Sequence, residues 1–126
     1  MGASERLKSR SMLEDLFSRG KVIQQAPFRL LFLEQPYDAE APVKAAFSAP
    51  KRRMKHAHDR NRMKRLMRES YRRNKHELNA LCHDQQKGLA LLFISQCNTP
   101  PSYHVTEEKI ILLLKRLKPG NEEAAQ

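Results

Sequence analysis

Residues 51–75 read KRRMKHAHDRNRMKRLMRESYRRNK, and this stretch decides both the fold and where function is to be sought. From Asp59 onward, Met63, Leu66, Met67, Ser70, Tyr71, Leu78 and Leu81 recur at steps of three and four. That spacing predicts one long amphipathic helix with Asp59 as its N-cap. Opposite Met67 on the helical wheel lie Arg62, Arg65, Arg68, Arg72 and Arg73, with Glu69 the only acid among them. Twelve residues of the stretch are Lys or Arg against Asp59 and Glu69, a formal +10. The whole chain of 126 residues also sums to +10, so the excess charge is one local feature. A merely solvated helix face usually mixes signs through Glu-to-Lys pairs four residues apart, and such pairs are almost absent here. Arginine outnumbers lysine eight to four. Its planar fork meets two phosphate oxygens at once and stacks on bases, so the bias favours nucleic-acid recognition.

Upstream, Met12, Leu13, Leu16 and Phe17 sit at helical spacing, with Ser11 as N-cap and Gly20 as the stop. In 28–33, Phe28, Leu30 and Phe32 alternate with Arg29, Leu31 and Leu33, the pattern of a strand. After a loop over 36–42, Val43, Ala45, Phe47 and Ala49 alternate with Lys44, Ala46 and Ser48. This second strand is expected antiparallel to the first across the loop and ended by Pro50. Downstream, the apolar run 89–94 predicts a central strand covered on both faces. Thr106 is positioned to cap a last helix bearing Ile110, Ile111, Leu113, Leu114 and Leu117. The order helix, strand, strand, basic helix, strand, helix gives an α+β sandwich in which helices cover one sheet. Its domain is expected over 1–118, with a flexible start at 1–8 and a disordered tail at 119–126.

Length and 40% apolar content suit one modest core. The chain has no run of eighteen apolar residues and a polar beginning, so a cytoplasmic protein without membrane attachment is expected. Cys82 and Cys97 form neither a Cys-x-x-Cys pair nor a disulfide framework and read as reduced structural thiols. A metal site from His76, Cys82, His83, Cys97 and His104 lacks paired-ligand spacing. A DNA-reading helix would need a leucine zipper or a short preceding helix, and neither is present. No paired carboxylates or His–carboxylate constellation stands at a spacing suited to acid–base catalysis.

Residues 47–69, FSAPKRRMKHAHDRNRMKRLMRE, resemble the signature of the bacterial ribonuclease P protein component. The centre of that signature is Ala57-x-x-Arg60-Asn61-Arg62-x-Lys64-Arg65-x-x-Arg68-Glu69. Arg6, Leu7 and Lys8, Leu16 and Phe17, Gly20, Pro27 and Phe28, and Gly88 with its apolar strand fall where that family places similar features. The resemblance implies a small, monomeric protein that binds a large catalytic RNA and the precursor tRNA 5′ leader. The complex would hydrolyse precursor tRNA to give mature 5′ ends, with the RNA and the Mg²⁺ it binds carrying the chemistry. The protein would supply no catalytic or metal-binding residue and would be inactive alone.

Carried over residue by residue, Lys51, Arg52, Arg53, Arg60, Asn61, Arg62, Lys64, Arg65 and Arg68 match the RNA-binding motif and its preceding basic turn. Phe17, Phe28, Phe32 and Phe47 are the candidates for a cleft that holds the single-stranded leader by stacking. The resemblance also implies a left-handed crossover around the basic helix. Two departures stand out. No glycine lies between Lys51 and Asp59, where the family has one near Lys55, so the turn must be built differently. His58 stands where an apolar residue is usual. The alternative reading is a ribosomal-type structural RNA binder with no role in tRNA processing.

Overall fold

The computed structural model describes residues 10–117. Both expected flexible ends, 1–8 and 119–126, lie outside the described residues. Helix α1 (Arg10–Arg19) is followed by strands β1 (Lys21–Gln25), β2 (Phe28–Gln35) and β3 (Val43–Ser48). Then come helices α2 (Ala57–Asn74) and α3 (His76–Gln85), strand β4 (Gly88–Ser95) and helix α4 (Tyr103–Arg116). The α+β class expected from the sequence is the class observed.

The four strands form one sheet in the order β1-β2-β4-β3. β4 is apolar at both sets of alternating positions because it lies in the middle, antiparallel to β2 and parallel to β3. The two strands expected to pair across the 36–42 loop are therefore separated: β4 inserts between them and takes the hydrogen bonds of both. Parallel pairing of β3 with β4 makes the segment carrying α2 and α3 a crossover connection. Gly88 is needed where β4 starts beside the end of β2, since a Cβ there would come within 2.8 Å of the Gln35 and Pro36 carbonyl oxygens.

Each sheet face has its own cluster. Ile23, Phe28, Leu30, Ala45, Leu91 and Phe93 pack with Met63, Met67 and Tyr71 of α2 and Ile110 and Leu113 of α4. Phe47, Tyr71 and Phe93 form an aromatic triad, with Phe47 stacked on Phe93 at 5.5 Å and Tyr71 tilted on Phe93 at 5.6 Å. This triad seats the basic helix on the sheet, and burial of such large rings supplies much of the non-directional attraction there. On the opposite face, Leu16 of α1 packs on Leu31, Ala90 and Leu92. Val22, Leu33, Ala46 and Ile94 remain only partly covered around it.

Five further points are corrected. β1 carries just Val22 and Ile23 as apolar residues, too few for a visible pattern, yet it pairs with β2 throughout. The long basic helix is two helices joined at Lys75, whose backbone stays in the right-handed helical region. Asp59 lies inside α2, whose N-cap is His56, and Ser11 lies inside α1. Ser102 caps α4, its Oγ accepting from the Val105 amide at 3.2 Å, whereas Thr106 is buried and donates to the Ser102 carbonyl.

Candidate nucleic-acid interface

The turn between β3 and α2, which lacks a glycine, is held by backbone bonds to Pro50 and by one side-chain clasp. Pro50 offers its carbonyl to the amides of Arg53 and Met54, and the Met54 side chain is buried beneath the turn. Arg60 then reaches back one helical turn and donates through Nη1 to the carbonyls of Met54 at 3.0 Å and Lys55 at 2.7 Å. Charge-assisted bonds of this kind are about twice as strong as neutral ones, so the turn is fixed by a member of the motif itself. Its outer corner carries Lys51, Arg52 and Arg53, all exposed. His58 is exposed as well and faces Asp59 at 3.6 Å, so Met54 fills the apolar role at the helix start.

Along α2, burial of Met63, Met67, Ser70 and Tyr71 turns the opposite side outward. Asn61, Arg62 and Arg65 are exposed, while Lys64 and Arg68 are partly covered. Among the described residues, none of the nine motif candidates forms an ion pair. Their cationic surface is open. Arg68 is steadied at its head, with its guanidinium 5.8 Å from the Phe47 ring centroid. Further along, Arg72 is engaged by Glu69, its Nε donating to Oε2 at 3.1 Å. That bond holds the Glu69 carboxyl below its usual range and raises the Arg72 guanidinium. Arg73 lies over the Tyr103 ring at 5.9 Å, and Lys75 is buried at the joint with α3.

Arg62, Arg65 and Arg68 also line a shallow depression of about 520 Å³ together with Leu66, Glu69 and Tyr103. Sequence reasoning missed Tyr103, which belongs to another helix. The hydroxyl of Tyr103 donates to Glu107 Oε2 at 3.0 Å, and the same oxygen accepts from Asn74 Nδ2 at 3.0 Å. The amide of Asn74 and then the Tyr103 hydroxyl lower the Glu107 pKa, while burial first and the Glu107 bond second raise that of Tyr103.

The four phenylalanines do not converge. Phe28 is 0% exposed in the helix-side core, so it has no face to offer a nucleotide and is withdrawn from the cleft candidates. Phe32 and Phe47 pack partly buried against the same core. Phe17 alone is open, at 66% exposure on α1. Among the described residues, no three His, Cys, Asp or Glu side chains gather to hold a metal ion, and no helix is long and apolar enough to cross a membrane. Cys82 and Cys97 are free thiols, and burial pushes the former up to about 11.

The family model for ribonuclease P matches residues 1–118. The chain belongs to the ribonuclease P protein family. It is 31% identical over 117 residues to the ribonuclease P protein component of Porphyromonas gingivalis, covering 93% of this chain and 85% of that protein. It is 34% identical over 119 residues to the component from Chlorobaculum tepidum, covering 87% and 77%. The solved ribonuclease P protein of Thermotoga maritima superposes with a TM-score of 0.69 at 27% identity, over 90% of this chain and 97% of that one. The Staphylococcus aureus protein shares the fold, with a TM-score of 0.67 at 17% identity over 88% and 93%. As a member of the ribonuclease P family the chain is a component of an endoribonuclease holoenzyme of tRNA processing and partners the ribonuclease P RNA. Membership separates it from the ribosomal-type alternative.

Proposed function

We propose that α2 and the turn before it bind the catalytic RNA, and that the α1 side of the sheet holds the precursor tRNA leader while the RNA and its Mg²⁺ cleave. The observation that carries the first part is the open cationic surface of Lys51, Arg52, Arg53, Arg62 and Arg65, exposed and without acidic partners among the described residues. Such charges neutralise closely spaced phosphates and release condensed counterions, so binding tightens as salt falls. Asn61, exposed beside them, both donates and accepts and is suited to orient the backbone. Arg60 contributes mainly by holding the turn.

For the leader, the sheet face bearing α1 offers Phe17 together with the partly covered Val22, Ala46 and Ile94. Arg29 shares this face, since it pairs in register with Gln24 and Ile94. A single strand laid there meets an aromatic ring, an apolar floor and a cation, a combination that tolerates any base.

The test is reconstitution with the ribonuclease P RNA of the same genome, comparing wild type with Arg62→Ala plus Arg65→Ala. Neither side chain supports the core, so the double variant should fold normally. The expected outcome is a salt slope shallower by roughly 1.4 to 1.8 and loss of precursor cleavage at low Mg²⁺, recovered at high Mg²⁺. Wild-type slope and cleavage in the double variant would remove the assignment. Phe17→Ala tests the leader face: affinity for precursor tRNA should fall about fivefold or more while affinity for mature tRNA holds.

A further inference from the structure

The depression between α2 and α4 contains more than phosphate binding requires. A ridge of duplex backbone would meet only charge, and Arg62, Arg65 and Arg68 supply it. Between them, however, Leu66 and Tyr103 form an apolar wall. An aromatic wall inside a ring of guanidinium groups serves a ligand that carries a flat π-face and a negative charge side by side. In an A-form duplex the faces of the bases are already stacked and cannot be offered. A nucleotide without a stacking partner offers both.

Resting on the RNA-binding reading above, we propose that this depression receives one unstacked nucleotide of the partner RNA, its phosphate on Arg62 and Arg65 and its base against Tyr103 and Leu66. The depression is shallow and open on its outer side, and its volume of about 520 Å³ leaves room for one nucleotide laid against the wall. The wall is set before any RNA arrives. Glu107 holds the Tyr103 hydroxyl, Asn74 holds the same carboxylate from α2, and Arg73, which is not part of the lining, lies over the same ring. Phe47 steadies Arg68. Little side-chain freedom is then lost on binding, which lets a modest contact area count. The one acid in the lining, Glu69, is offset by Arg72 and does not oppose the phosphate as a free carboxylate would. It keeps acceptor capacity for an exocyclic amine of the base.

Two substitutions separate stacking from scaffolding. Tyr103→Phe keeps the ring and gives up the Glu107 bond, whereas Tyr103→Leu keeps apolar bulk and gives up the π-face. Full-length proteins are titrated with the ribonuclease P RNA of the same genome across a salt series, with thermal melts as folding controls. The 2′-hydroxyl acylation of the RNA is mapped in parallel. Tyr103→Phe should bind within about twofold of wild type, and Tyr103→Leu about five- to hundredfold more weakly with an unchanged salt slope. One unpaired nucleotide should lose acylation with wild type and Tyr103→Phe and regain it with Tyr103→Leu. Equal losses in both variants would make the hydroxyl a structural tie and overturn the stacking role. Wild-type affinity in Tyr103→Leu would overturn the inference while leaving the proposed function standing, provided that Arg62→Ala plus Arg65→Ala still flattens the slope. Should that double variant also bind like wild type, the RNA-binding reading itself fails.

Discussion

The two ends of α2 carry the same residue type to different purposes. Toward its start, Arg62 and Arg65 project without acidic partners among the described residues, beside an exposed basic turn. Toward its end, Arg72 is engaged by Glu69 and Arg73 by the Tyr103 ring. Charge counted along the sequence treats all four alike. What separates them is the neighbour each meets after folding: Glu69 lies one turn before Arg72, and α4 brings Tyr103 against Arg73. Formal charge therefore overstates the surface available to an RNA, and the open part is concentrated at the helix start and the turn before it.

The contrast can be broken from below, by removing what supports both ends. Phe93→Ala takes away the ring on which Phe47 and Tyr71 rest, and should lower stability by about 3–5 kcal/mol in denaturant titration. Both ends of α2 should then lose definition together. A smaller effect confined to the start is expected from Arg60→Ala, which removes the clasp on Met54 and Lys55. Stability should fall by about 1–2 kcal/mol, with faster amide exchange over the turn, and Arg60→Lys should not restore the forked geometry.

The distinction is sharpened by moving an arginine from one class to the other. Glu69→Gln releases Arg72, and the salt slope for RNA binding should steepen by up to about one, whereas Arg72→Ala alone should leave it unchanged. Acid offers the mildest version of the same change. Because pairing depresses the Glu69 pKa, its contribution is complete above the ordinary carboxylate range and disappears as pH falls through the lowered value. The Arg72 Nε resonance should follow that titration in NMR spectra, and lose its pH dependence there in Glu69→Gln.

Much of the fold was legible because periodicity is local. The steps of Met63, Met67 and Tyr71, the alternation in β2 and β3, and the unbroken run of β4 each announced an element from its own residues. β1 escaped notice because two apolar residues within Lys21–Gln25 make no pattern, and its existence depends on pairing with β2. The break at Lys75 escaped because Leu78 stays in phase with the preceding helix and no Gly or Pro marks the joint. Insertion of β4 between β2 and β3 is a choice of partner over long sequence distance, which alternation within a strand does not encode. At the interface, the motif named the cations but not their engagement: Arg60's clasp depends on the fold of the turn. Alternation likewise placed Phe28 on a strand face without saying which face the helices would cover.

The crossover has a consequence for how the chain reaches this structure. β3 and β4 pair directly, yet the +10 of residues 51–75 lies between them in sequence. Joining the two strands gathers that charge into a closed loop, so mutual repulsion of the cations adds to the entropy of loop closure and opposes that pairing. Added salt screens the repulsion, and a polyanion offsets it at the source. An RNA that meets the nascent chain would thus ease its maturation before serving as its working partner.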